Sequence, residues 1–286
     1  MGPGPETAKP VLFSVGETIR FVLANWRFVV SVALLGSALQ LVLGQLLGGG
    51  VLGIFAITAV SALIYGAVTR AALTSPADVG ARIGQDGLRV WCAMAIVGFF
   101  LFVVATVYAV VALGMLMGPY ADQMPEPGGD PAAMEAAVEA VLARMWAERS
   151  LLVSGILGVG GLLWFWLSSR FYLAAPATVH EGRVRVFESW THTQGKTLRV
   201  MAARFMLLLP AFILWACVHG LIGAALGLGV PNPIDVAQAQ ALFAQSPMRF
   251  VTLSFLSQAA QIGIVAVLEA TLAVQLYRTL KSRVTA

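Results

Sequence analysis

The stretch VWCAMAIVGFFLFVVATVYAVVALGMLM, residues 90–117, runs for 28 residues without a charged side chain. A helix crosses the hydrocarbon core of a bilayer with about 20 apolar residues, so this stretch is long enough to span a membrane. The whole chain is 59% hydrophobic and only 11% charged, with a mean hydropathy of +0.84. Ordinary soluble domains are about 25% charged, and a water-exposed surface this apolar would associate. The composition therefore predicts an integral membrane protein.

Five further apolar stretches have the length and composition of membrane spans. We predict six transmembrane helices in total, at approximately residues 28–47, 51–68, 90–117, 151–173, 200–228 and 250–276. Only the glycines of LGGGVLG (47–53) separate the first two, which predicts a tight turn there. The predicted fold class is all-α, a polytopic membrane helix bundle in which residues 1–286 form a single integral membrane domain.

The distribution of positive charge predicts the orientation of the spans. With six spans both termini lie on the same side, and that side carries fifteen of the eighteen Lys and Arg residues. The other side carries Arg144, Arg149 and Arg249, together with seven acidic residues. Cytoplasmic loops are enriched in Lys and Arg, so we place both termini in the cytoplasm. Because the positive charge lies at the ends of spans, the pI of about 9.4 indicates a membrane surface and no nucleic-acid partner.

Short amphipathic segments precede the three spans that leave the cytoplasmic side. These segments are residues 13–28, 77–91 and 185–200. Helices of this kind lie in the headgroup layer, with their apolar side chains facing the membrane interior and Lys or Arg facing anionic lipid. Each returning span ends in an arginine, namely Arg70, Arg170 and Arg278. We predict cytoplasmic interfacial helices and a weak threefold repeat of interfacial helix, span and return span.

The largest loop on the other side, residues 118–149, contains a predicted helix. Asp130 is a suitable N-cap and Pro131 suits the first helical position. Apolar residues then recur at a spacing of three to four, opposite charged ones. This helix either covers the mouth of the bundle or rests on lipid as a solvated loop helix. A second helix is predicted on the same side at about 235–245.

The sixth predicted span carries a polar stripe. At 100° per residue, its polar side chains fall within an arc of about 120°; they are Ser254, Ser257, Gln258, Gln261, Glu269 and Gln275. Glu269 is the acidic residue well inside this span, and ionisable residues in membrane spans are costly and often functional. The stripe is either a polar path or ligand site, with Glu269, Gln258, Gln261 and Ser254 as candidates, or a set of hydrogen bonds that hold helices together. His219 in the fifth span is interpreted as a hydrogen-bonded packing residue.

The stretch RFYLAAPATVHEGRVRVFESWTHTQGKTLRVMAARF, residues 170–205, holds six of the eighteen basic residues and two of the three histidines. We predict that it is a cytoplasmic surface for lipid headgroups. Its candidate residues are Arg170, Arg183, Arg185, Glu188, Trp190, Lys196, Arg199 and Arg204. Arg170 and Arg204 flank it at the membrane edge, where they either extend to lipid phosphates or pair with Glu188.

The same stretch resembles a known membrane domain. The pattern is an arginine that ends a span, then Pro176, a turn at His180–Gly182 and an ESW at 188–190 that opens an amphipathic helix. It is similar to the membrane domain attached to some glycerophosphoryl diester phosphodiesterases and to stand-alone bacterial inner-membrane proteins. The resemblance covers about 35 residues and implies a membrane fold in the bacterial inner membrane. In those enzymes the activity belongs to a separate soluble barrel, without counterpart in these 286 residues, so the resemblance implies no catalytic residues.

Sequence motifs of common enzyme classes are not found. There is no H-E-x-x-H, G-x-S-x-G, Walker or kinase motif. GILGVGG (155–161) lies inside a span and lacks the Lys-Ser/Thr ending of a phosphate loop, so we interpret it as a site of close helix packing. Cys92 and Cys217 stand far apart in apolar stretches, which argues against a disulfide framework or a zinc site. We expect no metal and no cofactor.

Three functions remain open at this level. The first is a non-enzymatic inner-membrane protein with a lipid-associated, envelope-organising or membrane-subunit role. Its partners would be membrane phospholipids and, in the subunit role, another membrane protein. The second is a transporter or flippase-like protein that uses the polar stripe around Glu269. The third is a membrane enzyme that acts on lipid at the basic surface, with His180, His192 and Glu188 as its candidate residues.

Overall fold

The computed structural model describes residues 11–48, 50–123, 131–228 and 236–281, and all regular structure in these ranges is helical. The helices are α1 (Val11–Ala24), α2 (Trp26–Leu47), α3 (Val51–Leu73), α4 (Ile83–Met117), α5 (Pro131–Arg170), α6 (Ala174–Glu181), α7 (Val186–Thr193), α8 (Thr197–Ala225), α9 (Val236–Gln245), α10 (Pro247–Gln261) and α11 (Val267–Lys281). Short 3-10 helices lie at Pro76–Asp78 and Gly118–Gln123, and a π-helical stretch, Ile262–Ala266, joins α10 to α11.

Six helical stretches are long and apolar enough to cross a membrane. They are α2, α3, α4, α5, α8 and the continuous run of α10, the π stretch and α11. Each overlaps one of the six predicted spans, so the predicted all-α polytopic bundle is confirmed. Each helical stretch extends past its predicted span at one end or both, because a helix continues past the hydrocarbon core where its composition is no longer restricted. The predicted spans 151–173 and 200–228 end three residues after α5 and α8 do.

The helices gather into two compact units, residues 97–168 and the rest of the chain. In the smaller unit, the helix predicted in the outer loop begins at Pro131 as expected, whereas Asp130 lies outside the described residues. From its apolar face, Val141 and Met145 are buried in a cluster with Leu116, Tyr120 and Val153, whereas Leu142 and Trp146 are exposed. A kink at Arg149, with φ −133° and ψ 29°, separates this helix from the span within α5.

The larger unit is built around α11. This helix has fully buried residues on all sides, among them Val267, Leu272 and Val274, which is the pattern of a helix enclosed by others. It packs against α1, α3, α6, α7 and α8. The short elements α1, α6, α7 and Pro76–Asp78 therefore lie with the end of α3, the start of α8 and the end of α11. We call this end of the larger unit the basic end.

The three predicted amphipathic segments take different forms. The first becomes the separate helix α1 and continues into α2. The second is the 3-10 turn at Pro76–Asp78 followed by the first turns of α4. The third is divided into α7 and the start of α8 by Gly195, which has a φ of +69°. The predicted turn at His180–Gly182 is formed by Gly182, whose φ of +68° ends α6.

Candidate functional site

The π-helical stretch divides the predicted polar stripe of the last span into groups that face different helices. A π turn forms i to i+5 hydrogen bonds, so each residue advances less than the 100° of an α-helix. Gln261, partly buried, is the last residue of α10 before this change. Side chains after Ile262–Ala266 therefore do not point in the directions, relative to those before it, that a uniform α-helix would give them.

Gln258 and Ser254 face α2 and line a cavity of about 200 Å³. Gln258 Nε2 donates to Gln40 Oε1 at 2.7 Å, and Gln40 Nε2 donates to Ser61 Oγ at 2.9 Å. Ser37 on α2 closes the same interface by donating to the carbonyl of Phe255 at 2.7 Å. A chain of uncharged polar groups thus links α10, α2 and α3.

Ser257 points instead toward α8. Its hydroxyl lies 2.7 Å from His219 Nδ1, and its carbonyl accepts a 3.2 Å hydrogen bond from Trp215 Nε1. His219 therefore has the hydrogen-bonded packing role predicted for it.

Glu269 lies beyond the π stretch and pairs with Arg204 of α8. One carboxylate oxygen is 3.7 Å from Arg204 Nη2, and about 33% of the Glu269 side chain is exposed. Tyr172 donates to the Glu269 carbonyl at 2.7 Å, and its ring lies 4.5 Å from the Arg204 guanidinium. Arg204 Nη1 also donates to Ser169 Oγ at 2.8 Å. These contacts join the end of α5, the first part of α8 and the start of α11 around the buried Arg204 guanidinium.

Arg204 is the member of the predicted headgroup surface that lies inside the bundle. Only 9% of the residue is exposed. Its carboxylate partner is Glu269, whereas Glu188, the partner considered for it from the sequence, pairs with Arg185. Tyr65 of α3 lies close enough to Glu269 and Arg204 for the charges of both side chains to act on its hydroxyl group.

The other residues of the predicted headgroup surface lie at the basic end. Arg183 and Arg199 are exposed, and Lys196 is partly buried at the start of α8. Arg170 lies 4.7 Å over the ring of Trp190, an aromatic contact that holds α7 against the end of α5.

A network of ion pairs surrounds Glu181 at this end. Its carboxylate lies 3.1 Å from Arg185, 3.6 Å from Arg183 and 3.7 Å from Lys281. Because Glu188 also pairs with Arg185, the network has three cations and two carboxylates and keeps a net positive charge.

Large apolar side chains are exposed beside these cations. Phe187 on α7 is 68% exposed and Leu198 at the start of α8 is 76% exposed. On α1, Leu23 and Ile19 are exposed beside the exposed Arg20. Exposed apolar and basic side chains thus occur together at the basic end, and this combination is typical of helices that lie in a membrane interface.

His180 and His192 pack on the same buried tyrosine, Tyr277. The ring centroids lie 5.7 Å and 5.8 Å from the tyrosine ring. Burial lowers the pKa of His192 below its ordinary value, Lys281 acts in the same direction, and Glu188 opposes it. His192 is therefore held mainly in its neutral form.

An ion pair with a fully buried carboxylate, Arg70–Asp86, was not predicted from the sequence. Arg70 Nε donates to Asp86 Oδ2 at 2.7 Å and Arg70 Nη2 donates to Oδ1 at 2.9 Å. Arg70 also donates to the carbonyl of Val179 at 3.3 Å, so the pair joins α3, α4 and α6. The available signal was an arginine at the end of a returning span, followed by an acid in the amphipathic segment after it.

Within the described part of the chain, no group of three or more His, Cys, Asp or Glu residues is arranged to hold a metal ion. The thiols of Cys92 and Cys217 are free. Comparisons with protein-family models, with curated proteins and with solved structures find no match for the chain.

Proposed function

We propose that this multi-pass membrane protein is a non-enzymatic protein of the bacterial inner membrane whose basic end faces the cytoplasm and binds anionic phospholipid. Its role would be to organise the envelope or to act as the membrane subunit of a partner protein. The observation that carries the proposal is that Phe187 and Leu198 are exposed at the same end of the larger unit as Arg183 and Arg199.

The exposed apolar side chains at this end are destabilised by contact with water, and the basic side chains would be destabilised in hydrocarbon. Exposed Phe and Leu side chains gain free energy when they leave water, whereas guanidinium groups remain hydrated at the phosphate level. Each basic residue near an anionic surface contributes about 1 kcal/mol of binding, which is about a fivefold change in affinity. The sequence resemblance to a membrane domain found in the bacterial inner membrane supports the same proposal.

Lipid analysis of the purified protein tests the proposal. The protein is extracted into native lipid nanodiscs, and lipids and proteins that accompany it are identified by mass spectrometry. We expect anionic phospholipid to be enriched over the bulk membrane, and the double variant Arg183→Gln/Arg199→Gln to lose most of that enrichment. The control, Arg144→Gln/Arg249→Gln, removes the same charge from the side predicted to be non-cytoplasmic and should retain it. Bulk lipid composition around the unmodified protein, with no partner protein present, would contradict the proposal.

A second function, lipid or solute transport, is favoured by the Arg204–Glu269 pair. Its single 3.7 Å contact is loose beside the two short hydrogen bonds of Arg70 and Asp86, and Glu269 is accessible. A flippase-like protein would move fluorescent phospholipid across proteoliposome membranes faster than empty vesicles do, and Glu269→Gln would abolish the difference. Equal rates with and without the protein would remove this candidate for phospholipid substrates.

A further inference from the structure

We propose that the cavity between α2, α3 and α10 is a binding site for the uncharged glycerol head of a neutral lipid of the diacylglycerol type. The cavity is separate from the anionic-lipid surface proposed above, because it lies toward the carboxyl end of α2, away from the basic end. Its chemistry is also different, since every residue that lines it is uncharged. The lining residues are Ser37, Gln40, Leu41, Gly44, Gln45, Ile57, Ser254 and Gln258.

The polar wall of the cavity is built from buried amides. Gln40 is nine-tenths buried, accepts from Gln258 Nε2 and donates to Ser61 Oγ. Ser61 in turn donates to the carbonyl of Ile57 at 2.9 Å. A primary amide has two N–H donors and a carbonyl acceptor, and the described hydrogen bonds use one N–H of each glutamine. The remaining hydrogen-bonding groups are available to a ligand with hydroxyl and ester oxygens.

The size of the cavity suits a small polar head and excludes a whole lipid. Its volume of about 200 Å³ is below the usual range for drug-sized ligands. Its apolar lining, from Leu41 and Ile57, offers a surface along which the first part of an acyl chain can lie. The ligand is therefore an amphiphile whose head enters the cavity while its chains stay in the surrounding bilayer.

The depth of the cavity favours a neutral head over a charged one. Gln45 stands two residues before the end of α2 and Ser37 ten, so at 1.5 Å per residue the cavity lining reaches about 15 Å inward from that end. A phosphate at this depth would need a cation to compensate its charge, and no cation lines the cavity. A diacylglycerol head carries no charge and can leave the headgroup layer at lower cost.

Two lining positions allow the cavity to be filled without replacing a residue of the glutamine network. Ser254 takes no part in the described hydrogen bonds, and a Cβ at Gly44 would meet Ile57 Cδ1 at 3.9 Å, an ordinary contact. Ser254→Phe and Gly44→Val therefore occupy the space from α10 and from α2. Leu256→Phe, at an exposed position of α10, adds a ring outside the cavity and is the matched control.

Photocrosslinking in nanodiscs tests the site directly. Diacylglycerol with a diazirine near its ester group is compared with phosphatidylcholine and phosphatidic acid that carry the same modified chain. We expect the diacylglycerol probe to label residues 37–45 or 254–258 at least about fivefold more than either phospholipid probe. Ser254→Phe and Gly44→Val should each reduce that labelling at least about fivefold, while Leu256→Phe should leave it unchanged.

The results that would contradict this lipid site differ from those that would contradict the anionic-lipid surface. Equal labelling by all three probes would show ordinary annular lipid, and labelling that survives both cavity-filling variants would place the ligand elsewhere. Loss of labelling on addition of free glycerol would assign the site to a soluble polyol instead of a lipid. Melting temperatures of the variants in nanodiscs identify any that fail to fold. Gly44→Val, whose Cβ makes only an ordinary contact, allows the test to be made if Ser254→Phe does not fold.

Discussion

Arg70 donates two hydrogen bonds, of 2.7 and 2.9 Å, to Asp86, and the Asp86 carboxylate has no exposed surface. The pair joins three helices of the larger unit, so its geometry is expected to matter for the free energy of unfolding. Removing one partner of a buried ion pair leaves an uncompensated charge, which typically costs about 3–5 kcal/mol.

Asp86→Asn is therefore expected to lower the free energy of unfolding by about that amount, because the amide cannot balance the Arg70 charge. Asp78→Asn makes the same chemical change at an exposed position and should change stability by no more than about 0.5 kcal/mol. Reversible denaturation in mixed micelles measures both. Similar losses in the two variants would show that the Arg70–Asp86 pair contributes little.

The Arg204–Glu269 pair predicts an asymmetric response to substitution. Glu269→Gln leaves the buried Arg204 guanidinium without its carboxylate but removes only one 3.7 Å contact, so it should have the smaller effect on melting temperature. Arg204→Met should have a larger one, because it also removes the hydrogen bond to Ser169 and the contact with the Tyr172 ring, and leaves Glu269 without its cation. Melting curves in nanodiscs compare the two, and equal losses would refute the asymmetry.

Gly66 marks a close approach of backbones. A Cβ at Gly66 would lie 3.2 Å from the Gly87 nitrogen, which belongs to the main chain and cannot rotate away. Gly66→Leu is therefore expected to separate α3 from the start of α4 and to cost about 1–3 kcal/mol or more. Gly98→Leu is the control, since a Cβ there meets no described atom within 4 Å. It should be neutral or stabilising, because Leu favours the helix over Gly.

His192 predicts a loss of stability in mild acid. Because burial lowers its pKa in the folded protein below the ordinary value of 6.5, the unfolded chain takes up a proton more readily. This contribution to stability is present above about pH 6.5 and is lost as the pH falls below that value. His192→Gln should reduce the drop in melting temperature between about pH 7.5 and about pH 5.5. An identical drop in both proteins would exclude a role for His192.

The membrane spans could be predicted because the requirement for them is local. A helix in hydrocarbon satisfies its backbone hydrogen bonds internally and needs apolar side chains over a known length. The helices at Pro131 and at about 235–245 were also predictable, from a proline at the first position and from apolar spacing. Asp235 itself lies outside the described residues.

The interaction partners of polar residues could not be predicted in the same way. Arg204 was grouped with a surface because it stands near the start of a span, but its side chain turns inward toward Glu269, 65 residues further on. GILGVGG was interpreted as a site of close helix packing, and among the described residues a neighbour approaches Gly160, where a Cβ would lie 2.7 Å from Tyr108, but not its other three glycines. Proximity along the chain does not determine which helix face meets a partner.

The sequence by itself determined the number of spans, their positions and the concentration of positive charge at one end, since composition and length suffice for each. Only the tertiary structure decided which polar groups meet. The π stretch at Ile262–Ala266 changes the register of the last span, and the hydrogen bond from Gln258 to Gln40 joins residues 218 positions apart. Such contacts depend on how whole helices pack, and no local pattern records that packing.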